Sequence, residues 1–156
     1  MKWMKSGLRW SWIIVAVLAF DHWTKKLALA KLIYGEPLEL TSFFNLTLSF
    51  NKGAAFSFLA EGSGWQLWFL SALAVIVSII LLRCLKHTSH KDILNNLAYT
   101  YIIGGALGNC WDRAIYGSVV DFLDFHIGMW HWPVFNFADT FICLGAILLI
   151  YRSLRS

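Results

Sequence analysis

An α-helical integral membrane protein with four spanning helices is the fold class that this sequence predicts, on two observations. Apolar residues make up 58% of the 156-residue chain against 14% charged, and they fall in long runs, whereas a soluble domain carries about 25% charged residues. One water-soluble core of this size has no room for such runs, and a bilayer does. The second observation is where the cations stand. Lys2, Lys5 and Arg9 precede the first run, Arg83, Lys86 and Lys91 separate the second from the third, and Arg152 and Arg155 follow the fourth. Lys and Arg on the cytoplasmic side of successive spans give that pattern, so the net charge of +4 reads as topology and not as a nucleic-acid footprint.

An apolar helix needs about 20 residues to cross about 30 Å of hydrocarbon at about 1.5 Å per residue. Four segments qualify, at about 10–33, 65–82, 93–110 and 137–151. The whole chain, 1–156, is expected to be one membrane-embedded unit with both termini inside. The connections 34–64 and 111–136 then face outward. Cys84, Cys110 and Cys143 lie in or beside apolar runs, and their odd number suits small hydrophobes better than a disulfide framework.

The first span begins like a signal peptide, and Ala28-Leu29-Ala30 offers a small-x-small cleavage pattern. Asp21, Lys25 and Lys26 interrupt it where a signal peptide is normally uncharged, so the segment is expected to stay as a span. Asp21 and Lys25 share a helix face at i,i+4. Their reading is a structural polar pair, since a carboxylate neutralised by lysine is a poor general base.

In the first outward connection, Asn45 to Phe50 alternates with period two, which predicts a half-buried strand with Leu46, Leu48 and Phe50 on one face. Asn51-Lys52-Gly53 reads as a turn. In the third span, Gly104 and Gly108 allow a close helix approach. Asn109, Asp112 and Arg113 follow at its outer end, where Asp112 beside Arg113 looks like scaffold electrostatics. Gly117, Gly128 and Pro133 punctuate the second connection, and Trp130 and Trp132 suit a membrane-water boundary.

The chemistry gathers around two acids. Asp121 is framed by apolar neighbours in Val119-Val120-Asp121-Phe122-Leu123-Asp124, where desolvation favours the protonated form. Asp139 opens the last span three residues after Asn136, a spacing that equally describes a helix N-cap with an acid in the first turn. Together, an ionised Asp can take a proton from water while a neutral one donates to a carbonyl or leaving amine. The eighteen-residue separation permits such a meeting and does not establish it.

Other schemes are weaker. Ser49 and Lys52 sketch a Ser-Lys dyad on a strand and turn that aim them unpredictably. His-Glu-x-x-His is absent. Asp124, His126 and His131 suggest a metal site, but such residues are more often interfacial anchors, so no metal and no cofactor is expected.

Five motifs, in order along nearly the whole chain, resemble those of the lipoprotein signal peptidase (signal peptidase II) family. They are Asp21-His22-Trp23-Thr24-Lys25, Phe50-Asn51-Lys52-Gly53-Ala54-Ala55-Phe56, the run from Gly104 to Arg113, Val119-Val120-Asp121-Phe122, and Phe135-Asn136-Phe137-Ala138-Asp139. The resemblance implies four transmembrane helices, a small periplasmic β-cradle and a short periplasmic helix or loop over the active site. It implies an aspartic endopeptidase that cuts diacylglyceryl prolipoproteins just before the lipidated lipobox cysteine. Asp121 and Asp139 would be the catalytic dyad, with Asn51, Gly53, Asn109, Asp112, Arg113 and Asn136 supporting or binding substrate. The implied setting is the bacterial inner membrane, with membrane lipids as neighbours, the cyclic peptide globomycin as inhibitor, and a monomer as the working form. Two alternatives stand beside it. One is a metal-dependent phospholipid head-group transferase, faintly echoed by Gly117-x-x-x-Asp121 with Asp112 and Asp124. The other is a non-enzymatic transport or assembly factor using its carboxylates as a proton relay.

Overall fold

In the computed structural model, residues 5–53 and 64–155 are described. Four helices form the body: α1 (Ser11–Lys31), α2 (Trp65–His87), α3 (Ile93–Tyr116) and α4 (Phe137–Ser153). Four strands, β1 (Pro37–Thr41), β2 (Phe44–Asn51), β3 (Val119–Ile127) and β4 (Trp130–His131), make one antiparallel sheet in sequential order.

α2 is dressed inside out. On α2 the buried residues are Gln66, Ser78 and Leu85, while Trp68, Ile76 and Ile80 stand exposed. Among the described residues α2 is the one helix long and apolar enough to cross a membrane. α1 carries Asp21, Lys25, Lys26 and Lys31, α3 is diluted by asparagines and glycines, and α4 has only 17 residues. The four expected runs therefore correspond to four helices, of which α2 alone meets the composition for a span.

α3 is the hub, packed on all three other helices. Its glycines explain why it can be. A Cβ at Gly104 would stand 2.7 Å from Val17 of α1, one at Gly105 would strike the Ala138 carbonyl of α4, and one at Gly108 would lie 2.6 Å from the Asp21 carboxylate. Small residues bring backbones into contact here, as the Gly104/Gly108 spacing predicts.

The sheet lies at the end of the bundle where α1 stops and α4 starts. Ala28 packs with Leu48, Val120, Phe122 and Leu123 in its core. At the opposite end, the Ser6 segment pairs with the α2–α3 turn, the Gly7 amide donating to Thr88 and the His90 amide to Lys5. One expectation for this region changes. The strand at 45–50 exists, extended to Phe44–Asn51, but Leu46, Leu48 and Phe50 do not share a face. Leu46 registers with Leu123 and Ser49 with Asp121, so β2 holds one extra residue, and Leu48 is buried while Phe50 is exposed. A bulge of this kind reverses the alternation beyond it. The second connection also carries β3, with Val119 to Asp124 all buried, and burial on both faces erases the period-two signal by which a strand is read from sequence. The short helix over the site is not found among the described residues, and Ala54, Ala55 and Phe56 of the second motif lie outside them.

Candidate active site

Asp121 sits in β3, an inner strand of the sheet, between β2 and β4. Asp139 sits in the first turn of α4. Asn136 joins them: its Nδ2 donates to Asp121 Oδ1 at 2.7 Å, and its backbone amide donates to Asp139 Oδ2 at 3.3 Å. Asn136 Oδ1 accepts the Asp139 amide at 2.9 Å, a reciprocal capping box of the kind that Asn followed by an acid three residues later favours. The capping reading of Asp139 and its placement beside Asp121 are therefore both true.

Further amides complete the setting. Asn51 Nδ2 donates to Asp121 Oδ2 at 3.2 Å, and Asn109 Nδ2 to Asp139 Oδ1 at 2.8 Å. The β2 bulge explains Asn51: with Ser49 opposite Asp121 and Asn51 opposite Val119, Asn51 is turned to the Asp121 side. The Gly53 amide donates to Asn51 Oδ1 at 3.0 Å, closing the expected turn around that side chain. Burial, then the nearby Asp139 charge, pushes the Asp121 carboxyl from 3.8 up to about 7, and the amides of Asn51 and Asn136 act against that rise.

Behind this pair lies a second polar group. Lys25 Nζ, 2% exposed, reaches Asp21 Oδ2 at 2.8 Å, Asp112 Oδ2 at 2.7 Å and Asn109 Oδ1 at 3.0 Å. An ammonium has three donors, and all three are used. Asp21 Oδ1 also accepts the Ala138 amide at the start of α4, at 2.9 Å, and Asp112 Oδ2 accepts the Val120 amide of β3, at 3.2 Å. The expected structural pair is thus a hub that grips the two elements carrying Asp121 and Asp139. Asp112 serves it through Lys25 and not through its neighbour Arg113. Arg113 turns instead towards the Asn109 and Gly53 carbonyls, at 3.4 and 3.5 Å.

A cavity of about 720 Å³ opens onto both acids. Asn51, Asn109 and Arg113 line its polar side, and residues such as Leu70, Leu73 and Ile142 line its apolar side. Its size is that of a ligand-binding cleft. Elsewhere, Ser49 faces Asp121 across the register while Lys52 is exposed beyond the strand. Asp124 bonds Thr47 Oγ1 and His131 Nδ1, each at 2.8 Å, and the His126 ring stacks on His131. Asp112, Asp121 and Asp124 therefore serve different partners. The reading of residues missed two links, Lys25 to Asn109 and Thr47 to Asp124. Gly105, Gly108, Asn109 and Asp112 recur at helical spacing, and that mixed small and polar stripe was the available signal for the first.

A family model described as Signal peptidase (SPase) II matches residues 13–155. The chain belongs to the signal peptidase II family. The lipoprotein signal peptidase of Photorhabdus laumondii is 50% identical over 97% of this chain and 90% of its own length. That of Serratia proteamaculans is 47% identical over 97% and 89%. Two bacterial membrane enzymes solved by the in meso method share the fold. The first has a TM-score of 0.84 at 33% identity, covering 97% of this chain and 91% of that one, and the second 0.83 at 32%, covering 97% of each. A signal peptidase II chain is thus a membrane enzyme by kinship as well as by its exposed apolar helices.

Proposed function

We propose that this signal peptidase II chain removes the signal peptide from diacylglyceryl-modified prolipoproteins, cutting just before the lipidated cysteine, with Asp121 and Asp139 as an acid dyad that activates water. The observation that carries the reading is the shared Asn136, which holds both carboxylates at the wall of one cavity.

The ionised partner of the pair takes a proton from water, and the hydroxide adds to the scissile carbonyl carbon. The neutral partner gives its proton to the carbonyl oxygen, so a neutral tetrahedral adduct forms. Collapse of the adduct breaks the C–N bond, and a carboxyl proton passes to the leaving amine of the lipidated cysteine. Two acids this close cannot both ionise easily, so they titrate as a unit sharing one proton. The raised Asp121 carboxyl suits the neutral role. Arg113 and Asn109 flank the cavity where charge develops on the carbonyl oxygen, and directed donors of this kind stabilise it.

The bilayer layout follows from the same reading. All four helices span, the single domain 1–156 sits in the bacterial inner membrane, and the end bearing Lys5, Arg9, Lys86 and Lys91 faces the cytoplasm with both termini. Segments 34–64 and 111–136 are periplasmic, so the sheet is a cradle at the outer surface. The substrate keeps its lipid in the membrane: extraction would cost about 0.8 kcal/mol per CH₂. Asn51, Gly53, Asn109, Asp112, Arg113 and Asn136 support the dyad or the substrate, and the working form is a monomer.

The test is a mobility-shift assay of a diacylglyceryl prolipoprotein with the purified chain in liposomes. Processing that globomycin blocks and a metal chelator leaves intact is the expected result. Chelator-sensitive activity would point to the head-group transferase, and no processing at all would leave a transport or assembly role.

A further inference from the structure

We propose that Asp124 is a positioning residue for this reaction, a latch between the β2 bulge and the 132–135 segment that fixes the width of the cleft where the substrate lies. The inference rests on the peptidase reading above. Asp124 is 2% exposed, stands three residues beyond Asp121 in β3, and is not part of the cavity lining. Its carboxylate nevertheless joins both flanks of the cavity.

On one flank, Thr47 Oγ1 donates to Asp124 Oδ2 at 2.8 Å. Thr47 falls within the register shift between Leu46 and Ser49, the irregularity that aims Asn51 at Asp121. On the other flank, His131 Nδ1 donates to Asp124 Oδ1 at 2.8 Å. The chain leaving His131 is then tied back to β3 at two residues: the Trp132 amide donates to the Phe125 carbonyl at 2.7 Å, and the Phe135 amide donates to the Leu123 carbonyl at 3.1 Å while the Phe135 carbonyl accepts the Phe122 and Leu123 amides at 3.0 and 2.8 Å. Trp132, Pro133, Val134 and Phe135 between those ties form one wall of the cavity.

Short-range contacts also meet at the outer end of that wall, where His126 stacks on His131 and Trp130 packs edge-on against Trp132. β4 is two residues long and pairs with β3 through two positions, too short to be stable on its own. Ile127 and Met129 at the hairpin tip are 80% and 98% exposed. On the outer side lies an open aromatic hollow of about 560 Å³, lined by Phe43, Phe125 and Trp130 among others, so core packing does not clamp the hairpin from there. A buried carboxylate with one directed donor from each flank does. Losing either donor leaves a desolvated oxygen unmatched and frees that flank.

His131 is the place to test it, because its side chain is 47% exposed and its loss leaves the core intact. His131→Ala is expected to raise KM for a lipopeptide substrate about 3–10-fold with kcat within about twofold of wild type. Amide hydrogen exchange at Trp132 and Phe135 should quicken in parallel. His131→Asn, which offers an amide N–H in the place of Nδ1, should return both readouts towards wild type, and Thr47→Val should raise KM from the β2 flank. A fall in kcat at unchanged KM would overturn the proposal, as would unchanged exchange in His131→Ala or failure of His131→Asn to restore it. If the wild-type chain leaves the substrate intact, the peptidase reading falls, and the exchange pattern still decides the latch.

Discussion

Asp21 and Asp112 on one side of the polar network, and Asp121 and Asp139 on the other, are carboxylates in similar surroundings with different partners. Asp21 and Asp112 touch the Lys25 ammonium directly, and their remaining bonds go to the backbone of α4 and β3. Asp121 and Asp139 touch neutral side-chain amides, from Asn51, Asn109 and Asn136, and open on a cavity. A carboxylate bonded to a lysine ammonium and to a backbone amide holds structure. A pair whose hydrogen bonds come from amides, beside a cavity, keeps a proton in play. Asn109 is where the two regions meet, since it accepts from Lys25 and donates to Asp139.

The largest test of that contrast is removal of the acid function of the proposed dyad. Asp121→Asn and Asp139→Asn should each reduce kcat by about 10²–10⁴-fold or more, with the thermal unfolding midpoint in detergent nearly kept. Asp124→Asn should be much milder, because it retains an acceptor for Thr47. Substantial turnover by either dyad variant would collapse the distinction. Lys25→Met is the mirror experiment. It strands two buried carboxylates and should destabilise the fold by about 3–5 kcal/mol, read as thermal unfolding, and Asp21→Asn placed on top should recover part of the loss.

These two regions were legible to different degrees. Asp21 and Lys25 at i,i+4 announced a pair, and Gly104 with Gly108 announced close helices, because helical periodicity is local. Asp112's attachment to Lys25 was hidden, since contacts between helices depend on which faces meet, and Arg113 next to it was the nearer cation in sequence. β2 was visible by alternation and its bulge was not: one extra residue is defined by the partner strand's register, which a single strand does not carry. β3 gave no alternation because both of its faces are covered. For the same reason the meeting of Asp121 with Asp139 came from the motif order and not from spacing, whereas the Asn136 cap could be read directly.

A smaller effect is expected at the seam between the helices. Gly105→Ala drives a methyl into the Ala138 carbonyl, next to the amide that Asp21 holds. Overpacking of this sort costs about 1–3 kcal/mol, and α4 must move to relieve it, carrying Asp139 away from Asp121. Activity should therefore fall by more than the loss of folded protein explains, as active-site titration against unfolding would reveal. Equal losses in both would make Gly105 a matter of stability alone.

The finest test concerns the proton itself. With the Asp121 carboxyl raised to about 7, the neutral acid is present below that pH and lost above it. The rate should then fall on an alkaline limb starting near pH 7, by about tenfold per unit once past it. Asn51 stabilises the ionised form of Asp121, so its loss moves the carboxyl still higher: Asn51→Ala should shift the limb to higher pH while costing only a few-fold in rate at about pH 6. The effect is small because the Asn51 bond, at 3.2 Å, is longer than the 2.7 Å bond from Asn136, and because Asn51 does not cap α4. Asn136→Ala removes the cap, the bridge and the shorter bond together, so it should cost both stability and rate. An Asn51→Ala limb that moves to lower pH would mean that the amides do not govern this carboxyl, and the contrast with the lysine-bound pair would lose its electrostatic basis.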